Sequence, residues 1–263
     1  MEPLLKWLGG KTHLVDHIRR FAARGYSRYV EPMAGGAAVF FGMEPRRAVL
    51  SDSNPWLMTA YEGVRQQPDQ VIRELAKLEY DKETYYLVRR QQPDPGDVVE
   101  CAVWVLYLNR TCYNGLWRMS AKGEFNSPMG KYVNPKICDP ERIRACSLML
   151  QGVELHVGDF EEVCGGVVQA DDLVYFDPPY IPVSKTANFT DFTAGGFPMA
   201  DQLRLRDFAR RLQLRGAHVV LSNSDTPEAR ELYKNWTLEI VPARRAINSK
   251  GGKRGAVKEL LIY

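Results

Sequence analysis

The chain has 263 residues, of which 45% are apolar and 25% charged, and a formal net charge of +3, which is typical of a globular protein that buries a large core in one large or two modest domains. It contains no apolar run of membrane-spanning length and no signal-peptide pattern after Met1, so we expect a cytoplasmic protein without a membrane segment. The five cysteines are odd in number and lack metal-ligand spacing, which argues against a disulfide framework and a metal site.

Hydrophobic periodicity predicts an α/β chain with one long helical interruption. Residues 14–22 repeat at helical spacing, and a second helix is predicted at 199–214. Strands are predicted at residues 28–30, 48–50, 153–157, 173–176, 217–221, 237–241 and 257–262. Asn54 followed by Pro55 is typical of a helix start, and the helical pattern continues to about residue 110. We therefore expect one sheet domain, residues 1–56 and 148–263, with a mostly helical insertion at 57–147.

The first two predicted strands end in residues that suit a cofactor site. Glu31 begins a segment that contains Gly35, and small residues after a strand let the backbone approach a ligand closely. The second strand leads to Asp52, and an acid about twenty residues beyond the glycine turn is placed to bind ribose hydroxyls. Upstream, Trp7 and Lys11 flank a Gly-Gly turn, where Lys11 could meet an α-carboxylate and Trp7 could pack beside the ligand.

The apolar run 173–176 predicts a buried strand that leads into Asp177, Pro178, Pro179 and Tyr180 at the edge where open α/β sheets bind ligands. The prolines lack N–H groups, so the turn cannot rejoin the ladder. A planar exocyclic amine has two N–H donors, which the Asp177 carboxylate and the Pro178 carbonyl would accept while the nitrogen attacks a sulfonium methyl group. Tyr180 offers a ring on which a base can stack. The segment therefore predicts methyl transfer to an amine, with DNA amino-methylation as the leading hypothesis.

Basic side chains are concentrated in two segments. Residues 101–138 contain five basic residues and one acid, and residues 244–254 contain five basic residues and no acid. Residues 57–100, by contrast, contain nine acids and six basic residues. Because phosphate contacts supply most non-specific affinity for nucleic acids, these patches are typical of a polyanion-binding surface. Charge alone leaves ordinary solvated surface as an equal alternative.

Taken in order along the chain, these motifs resemble the Dam family of adenine-N6 DNA methyltransferases. The resemblance is carried by KWLGGK at 6–11, VEPMAGG at 30–36, DSN at 52–54, YLNR at 107–110, YNGLWR at 113–118, GEFN at 123–126 and DPPY at 177–180. It spans nearly the whole chain and implies a Rossmann-like S-adenosylmethionine-dependent methyltransferase sheet with an inserted DNA target-recognition domain. It implies cofactor contacts at Trp7, Lys11, Glu31, Gly35, Asp52, Asp159, Phe160 and Asp177. GATC is the target sequence that the resemblance implies.

The insertion contains side chains suited to reading duplex DNA. An arginine can donate a bidentate pair to guanine O6 and N7, and Arg118 stands where Dam-like enzymes place such a reader. Tyr113 could fill the stack left by an extruded adenine, since N6 cannot reach a buried cofactor from within the duplex. Further DNA contacts are predicted at Arg110, Asn114, Leu116, Ser120, Asn126 and Pro128, with Leu116 and Pro128 against a thymine methyl group.

Two positions depart from the family pattern, because Ser120 replaces an expected asparagine and Met33 an expected phenylalanine. The serine leaves one DNA contact open, whereas the methionine is a conservative repacking. The basic segment 244–254 is interpreted as a loop that closes over the flipped base, and residues 188–190 as a possible lid.

We predict direct methyl transfer to double-stranded DNA by a monomer, without metal or covalent intermediate. Cytosine-C5 methylation is disfavoured because no cysteine follows a proline. Cytosine-N4 methylation shares the chemistry, although its enzymes more often have serine at the position of Asp177. Amine methylation of RNA or protein glutamine usually has asparagine there and does not need the 113–118 element. A DNA-binding module without catalysis is the remaining alternative.

Overall fold

The computed structural model describes residues 1–120, 122–183, 196–244 and 256–263. In these ranges the strands are β1 (Tyr29–Glu31), β2 (Ala48–Asp52), β3 (Val153–Val157), β4 (Leu173–Phe176), β5 (His218–Ser224), β6 (Leu238–Arg244) and β7 (Ala256–Ile262). The helices are α1 (Val15–Ala22), α2 (Ala38–Met43), α3 (Pro55–Gln66), α4 (Pro68–Leu75), α5 (Lys82–Arg90), α6 (Val98–Thr111), α7 (Pro140–Leu150), α8 (Phe160–Val167), α9 (Met199–Leu214) and α10 (Pro227–Leu232). The α/β fold predicted from the sequence is confirmed.

The strands form one sheet in the order β3-β2-β1-β4-β5-β7-β6. Strands β3, β2, β1, β4 and β5 are parallel to one another, and β7 is antiparallel to both β5 and β6. The chain proceeds outward from β1 to β2 and β3, and then returns to the other side of β1 with β4. The order therefore reverses between β1 and β4, and a crevice at the carboxyl ends of these two strands is where such sheets bind ligands.

Alternate residues of the buried strands face opposite sides of the sheet, as the two-residue period of a strand requires. In β4, Leu173 and Tyr175 join the core beneath α1 to α7, whereas Val174 and Phe176 join a second core beneath α8 to α10. Both faces are covered, which explains why this strand is a continuous apolar run. Among the described helices, none is both long and apolar enough to cross a lipid bilayer.

Helices α3 to α7 lie between β2 and β3 in the chain and account for the predicted helical insertion. Helix α3 starts at Pro55 with Asn54 as its N-cap, as the sequence predicts, and the Asn54 side chain accepts a hydrogen bond from Leu57 N. This helix packs against β2 and β3 on one side and against α6 and α7 on the other. Since α3 contacts both the sheet and the other inserted helices, the predicted boundary at residue 57 falls inside a shared element. The domain division remains a prediction.

The crossing of α3 and α6 generates a test of the packing. A Cβ added at Gly63 would overlap the backbone carbonyl of Val98. We expect Gly63→Ala to lower the free energy of unfolding by at least about 1–3 kcal/mol, because a backbone group cannot rotate out of the way. Urea denaturation followed by circular dichroism measures the change.

The matched control is Gly165→Ala in α8, where an added Cβ meets nothing within 4 Å. Alanine has the higher helix propensity, so this variant should gain about 0.5–1 kcal/mol. Equal unfolding free energies for the two variants would contradict the packing described for α3 and α6.

Candidate active site

Asp177 lies at the carboxyl end of β4, at the point where the sheet order reverses. Its Oδ1 accepts a hydrogen bond from Ser222 Oγ at 2.9 Å and lies 3.2 Å from Lys11 Nζ. Burial raises the pKa of Asp177, and the Lys11 charge and the Ser222 hydrogen bond oppose this rise. Both described partners contact Oδ1, so Oδ2 has no donor among the described residues and is available to a ligand.

The turn after Asp177 is held by two buried amides that the sequence analysis missed. Gln202 of α9 donates from Nε2 to the Pro179 carbonyl at 2.8 Å, and its Oε1 accepts from Asn223 Nδ2 at 3.1 Å. Asn223 Oδ1 also accepts from Ile181 N at 3.0 Å. The Pro179 carbonyl is therefore occupied, whereas the Pro178 carbonyl has no donor among the described residues. Among the described residues, Asp177 Oδ2 and the Pro178 carbonyl are thus two acceptors without a donor, the number that the two N–H groups of a planar amine require.

Tyr180 is fixed at both its ring and its hydroxyl. Lys11 Nζ lies 4.4 Å from the ring centroid in a cation–π contact, and it also donates to the Gly9 carbonyl at 2.6 Å. The Tyr180 hydroxyl donates to Glu259 Oε2 at 3.2 Å, and His13 Nε2 lies 3.1 Å from the same oxygen. Burial raises the pKa of Glu259, but His13 and Lys11 outweigh it and the pKa is lowered. The ring therefore has little freedom to rotate away from the site.

The glycine turn after β1 is braced by Asp52. Gly35 has a left-handed backbone with φ of +47°, and its N–H donates to Asp52 Oδ2 at 2.9 Å. Asp52 Oδ1 accepts from Asn54 N at 2.9 Å, and burial raises the pKa of Asp52. Each carboxylate oxygen keeps a lone pair beyond these contacts, so a hydroxyl can still bind. A Cβ at Gly35 would lie 2.9 Å from the Trp7 ring, which shows how closely that indole covers the turn.

Glu31 lies beneath the same turn rather than beside an open surface. It is only 3% exposed, and its Oε2 accepts hydrogen bonds from Tyr29 Oη at 2.9 Å and Phe40 N at 3.0 Å. Burial is the main reason why the pKa of Glu31 is raised to about 8. The residue therefore connects β1 to the start of α2, and its predicted contact with a cofactor stays a prediction.

Asp159 and Phe160 mark the start of α8 and are both engaged by Arg204 of α9. Asp159 accepts from Glu161 N at 2.9 Å as an N-cap and receives two hydrogen bonds of 2.8 Å from the Arg204 guanidinium. Burial raises the pKa of Asp159, but the Arg204 hydrogen bonds outweigh it and the pKa is lowered. The same guanidinium lies 4.5 Å from the centroid of the buried Phe160 ring. Asp159 is thus an ionised, paired carboxylate beside an aromatic ring.

Polar residues that the sequence analysis missed hold the predicted ones in place. Their signal lies in β5, where the apolar run ends in three buried polar residues, Ser222, Asn223 and Ser224. Buried polar side chains at the carboxyl end of a central strand must find partners, and here all three contact the segment from Asp177 to Ile181. Glu259 of β7 and Gln202 of α9 carried no comparable signal, because only the folded sheet brings them to this edge.

Comparison with known families shows the class of enzyme to which the chain belongs. The family model of the D12 class N6 adenine-specific DNA methyltransferases matches residues 7–247. The chain belongs to this family. Membership implies DNA as the substrate and S-adenosylmethionine as the methyl donor.

Curated relatives cover the methyltransferase from end to end. The type II methyltransferase M1.LlaDCHI of Lactococcus lactis subsp. cremoris is 40% identical over the whole chain and 95% of the relative. The type II methyltransferase M.MjaIII of Methanocaldococcus jannaschii is 40% identical over the whole chain and 98% of the relative. The DNA adenine methylase of Escherichia coli K12 is 37% identical over 98% of the chain and 93% of the relative.

In the methyltransferase, residues 112–120 and 122–129 lie in an irregular hairpin with antiparallel bridges between Cys112 and Met129 and between Met119 and Phe125. We call this segment the 112–129 hairpin. Arg118 is exposed on it, and its Nε donates to Asn126 Oδ1 at 2.6 Å. Asn126, itself predicted to contact DNA, therefore orients the arginine. Ser120 Oγ accepts from the backbone of Lys122 and Glu124 at 3.2 Å each, which stabilises the tip of the turn.

The other predicted DNA contacts are distributed unevenly. Tyr113 is 52% exposed, and its N–H donates to the Pro128 carbonyl at 2.9 Å. Pro128 is exposed, whereas Asn114 and Leu116 are half-buried. Arg110 is half-buried on α6, its guanidinium donates to the Leu4 carbonyl at 2.8 Å, and burial lowers its pKa. This contact ties Arg110 to the N-terminal segment, and its binding to DNA stays a prediction.

Two interpreted segments lie outside the described residues: positions 188–190, and 245–254 of the basic segment. Within the described ranges, the methyltransferase has no cluster of three or more His, Cys, Asp or Glu side chains that could hold a metal ion.

The raised pKa of Glu31 generates a prediction about stability and pH. The folded pKa is about 8 against an ordinary value of 4.5, so the folded state keeps a proton that the unfolded state releases. The stability that this proton contributes is complete below the unfolded pKa and is lost as pH rises through the folded pKa. Glutamine keeps an acceptor for Tyr29 and Phe40 without titrating. We therefore expect the Tm of Glu31→Gln, relative to the unsubstituted protein, to increase steadily between about pH 5 and pH 9.

Differential scanning fluorimetry at fixed ionic strength measures this trend. Glu124→Gln, which removes an exposed carboxylate of the 112–129 hairpin, is the matched control and should follow the unsubstituted protein at every pH. Parallel pH profiles for Glu31→Gln and the unsubstituted protein would show that Glu31 is not protonated in the fold.

Proposed function

We propose that the methyltransferase transfers a methyl group from S-adenosylmethionine to N6 of an adenine flipped out of duplex DNA, within GATC. The observation that carries this proposal is a pair of acceptors at the switch point of the sheet, Asp177 Oδ2 and the Pro178 carbonyl, which have no donor within the part of the chain that the structure describes. Adenine N6 carries two N–H donors, and each would find one acceptor. The base identity agrees with the family to which the chain belongs.

Asp177 has two functions in this mechanism. Through Oδ1 it is held by Lys11 and Ser222, which keep the carboxylate in one orientation. Through Oδ2 it accepts one N6 hydrogen while the Pro178 carbonyl accepts the other. These two hydrogen bonds favour a tetrahedral nitrogen, whose lone pair is then available to attack the methyl group. Because burial raises the pKa of Asp177, Oδ2 is also suited to accept the proton that N6 releases after transfer. Tyr180 provides a fixed ring on which the adenine stacks.

The residues at the ends of β1 and β2 fit S-adenosylmethionine, which supplies an activated methyl group when bound. Asp52 keeps lone pairs for ribose hydroxyls, and Trp7 covers the glycine turn at Gly35. Lys11 uses part of its donor capacity on Gly9 and Asp177, and its third N–H could meet an α-carboxylate. Asp159 and Phe160 would provide an acceptor and an aromatic ring to the adenine of the cofactor. Glu31 supports the turn from below.

The inserted residues 57–147 are proposed to be the target-recognition domain. Arg118, oriented by Asn126, is proposed to donate two hydrogen bonds to a guanine of the site. Tyr113 is exposed enough to enter the space of the extruded adenine. Remaining contacts are proposed at Arg110, Asn114, Leu116, Asn126 and Pro128. The GATC sequence rests on the resemblance of this hairpin to that of Dam-family enzymes, and we propose that a monomer binds it.

Asp177→Ala tests the acceptor. It removes the carboxylate that accepts N6, so we expect the methylation rate to fall by about 10²–10⁴-fold or more. Affinity for S-adenosylmethionine, measured by titration calorimetry, should fall much less. Asp16→Ala, an exposed carboxylate of α1, is the control and should keep full activity. Turnover of Asp177→Ala at the rate of this control would remove Asp177 from its proposed function.

Arg118→Ala tests the guanine reader. Loss of a bidentate contact should cost about 1–3 kcal/mol of discrimination at one base pair and relax the site there. The measurement is methylation of a library of randomised duplexes, followed by sequencing that detects N6-methyladenine. Lys122→Ala, on the same turn, should instead weaken binding to all sequences alike. An unchanged site preference in Arg118→Ala would refute the reader, and modified cytosines in place of adenines would refute the proposed reaction.

A further inference from the structure

Residues 6–11 lie between the catalytic sheet and the inserted helices, and we call them the N-terminal strap. On one side, the strap supplies Trp7 to the glycine turn and Lys11 to Asp177. On the other side, it is held by residues of α6 and the 112–129 hairpin, which belong to the proposed DNA-recognition segment. A displacement of the strap would therefore move residues both at the site around Asp177 and in the proposed DNA-recognition segment.

Asn109 of α6 holds the strap by its backbone. Its Oδ1 accepts from Lys6 N at 2.9 Å, and its Nδ2 donates to the Lys6 carbonyl at 2.9 Å. The side chain thus satisfies both backbone groups of one residue, as a neighbouring β-strand would. Asn109 is only 1% exposed, so losing this pair would leave buried polar groups without partners.

The 112–129 hairpin contacts the strap at a second point, through its glycine. Gly115 has a left-handed φ of +65°, and a Cβ there would lie 2.7 Å from the Lys6 carbonyl oxygen. The two backbones are therefore in direct contact, with no side chain between them to absorb a displacement.

A third contact joins Trp117 of the hairpin to Trp7 of the strap. The two indoles are stacked, with centroids 5.5 Å apart and an interplanar angle of 26°. Trp7 in turn lies over Gly35 and Gly36, where an added Cβ would approach it to 2.9 Å and 2.6 Å. The Trp117 Nε1 is buried and has no hydrogen-bond partner among the described residues, so the ring is held here by its face and not by its polar edge. Its neighbour in the sequence is Arg118, the proposed guanine reader.

We propose that Asn109 and Trp117 are positioning residues for the methyl-donor site, and that the strap couples cofactor binding to DNA recognition. The inference rests on the proposed function, because the ligand at the glycine turn is taken to be S-adenosylmethionine. Both residues lie in the inserted segment, yet they act on the cofactor through Lys6 and Trp7. Coupling between two sites is reciprocal. If DNA binding raises the affinity for the cofactor through the strap, cofactor binding raises the affinity for DNA by the same factor.

The first experiment measures cofactor affinity without DNA. Binding of sinefungin, a non-reactive analogue of S-adenosylmethionine, is followed by titration calorimetry. We expect Asn109→Ala and Trp117→Ala to weaken binding by about 10-fold or more, a typical coupling between sites. Trp117→Phe keeps an aromatic face and gives up no hydrogen bond, so it should stay within about 3-fold of the unsubstituted protein.

Trp104→Phe is the matched control for lost stability. Trp104 packs edge-on against Trp117 at 5.3 Å and donates from Nε1 to the Val88 carbonyl, and among the described aromatic pairs it has none with Trp7. Trp104→Phe should lower Tm, as Asn109→Ala and Trp117→Ala do, but it should leave sinefungin affinity unchanged. If Trp104→Phe weakens sinefungin binding as much as Asn109→Ala does, the effect is general destabilisation and the inference is overturned.

The second experiment tests reciprocity with a GATC duplex. In the unsubstituted protein, sinefungin should tighten duplex binding, measured by fluorescence anisotropy at fixed salt. We define the coupling ratio as the Kd for the duplex without sinefungin divided by the Kd with it. In Trp117→Ala the coupling ratio should fall towards one, and in Trp117→Phe it should be retained. Unchanged sinefungin affinity and an unchanged coupling ratio in both Asn109→Ala and Trp117→Ala would overturn the coupling alone. Failure of the unsubstituted protein to bind sinefungin would overturn the proposed function, and the coupling with it.

Discussion

The ion pair between Lys11 and Asp177 is the interaction on which the rest of the site depends. Both charges are largely buried, and a buried charge is costly unless an opposite charge and hydrogen bonds compensate it. Lys11 comes from the N-terminal strap and Asp177 from the end of β4, so their ion pair joins two parts of the chain that are distant in sequence. The same lysine lies over Tyr180, and the pair therefore fixes a carboxylate and a ring together.

Four carboxyl groups at or just after the carboxyl ends of β1, β2, β3 and β4 have different surroundings, and their properties differ accordingly. Glu31 is buried among neutral donors and keeps its proton near neutral pH. Asp159 is paired with Arg204 and stays ionised. Asp52 is bound by backbone N–H groups, which suits a structural brace with lone pairs to spare. Asp177 has Oδ1 engaged by Lys11 and Ser222 and Oδ2 without a donor among the described residues, and its side chain is 22% exposed, which suits a residue proposed to hold a substrate.

The inserted helices are more than a separate attachment to the sheet. Helix α3 packs against both β2 and α6, and α6 supplies Asn109 to the N-terminal strap. The aromatic cluster around Trp117 extends this contact to the glycine turn. The proposed cofactor site is built partly on such contacts and is therefore mechanically connected to the segment proposed to read DNA, because packed side chains transmit displacement where loops would absorb it.

Local patterns in the sequence were enough to predict the strands, the start of α3 at Pro55 and the placement of Asp177 at the end of a buried strand. Periodicity and turn chemistry depend on near neighbours in the chain, and so they are readable there. The same local patterns suggested Asp52 after the second strand, and the fold places it at the end of β2. The family resemblance added Asp159, Phe160 and the DNA contacts, whose functions stay predictions. The partners that hold them could not be predicted, because a hydrogen bond between distant residues depends on which elements become adjacent. Only the tertiary structure brought together Ser222, Gln202, Asn223, Glu259 and Asn109 with the motifs that they support.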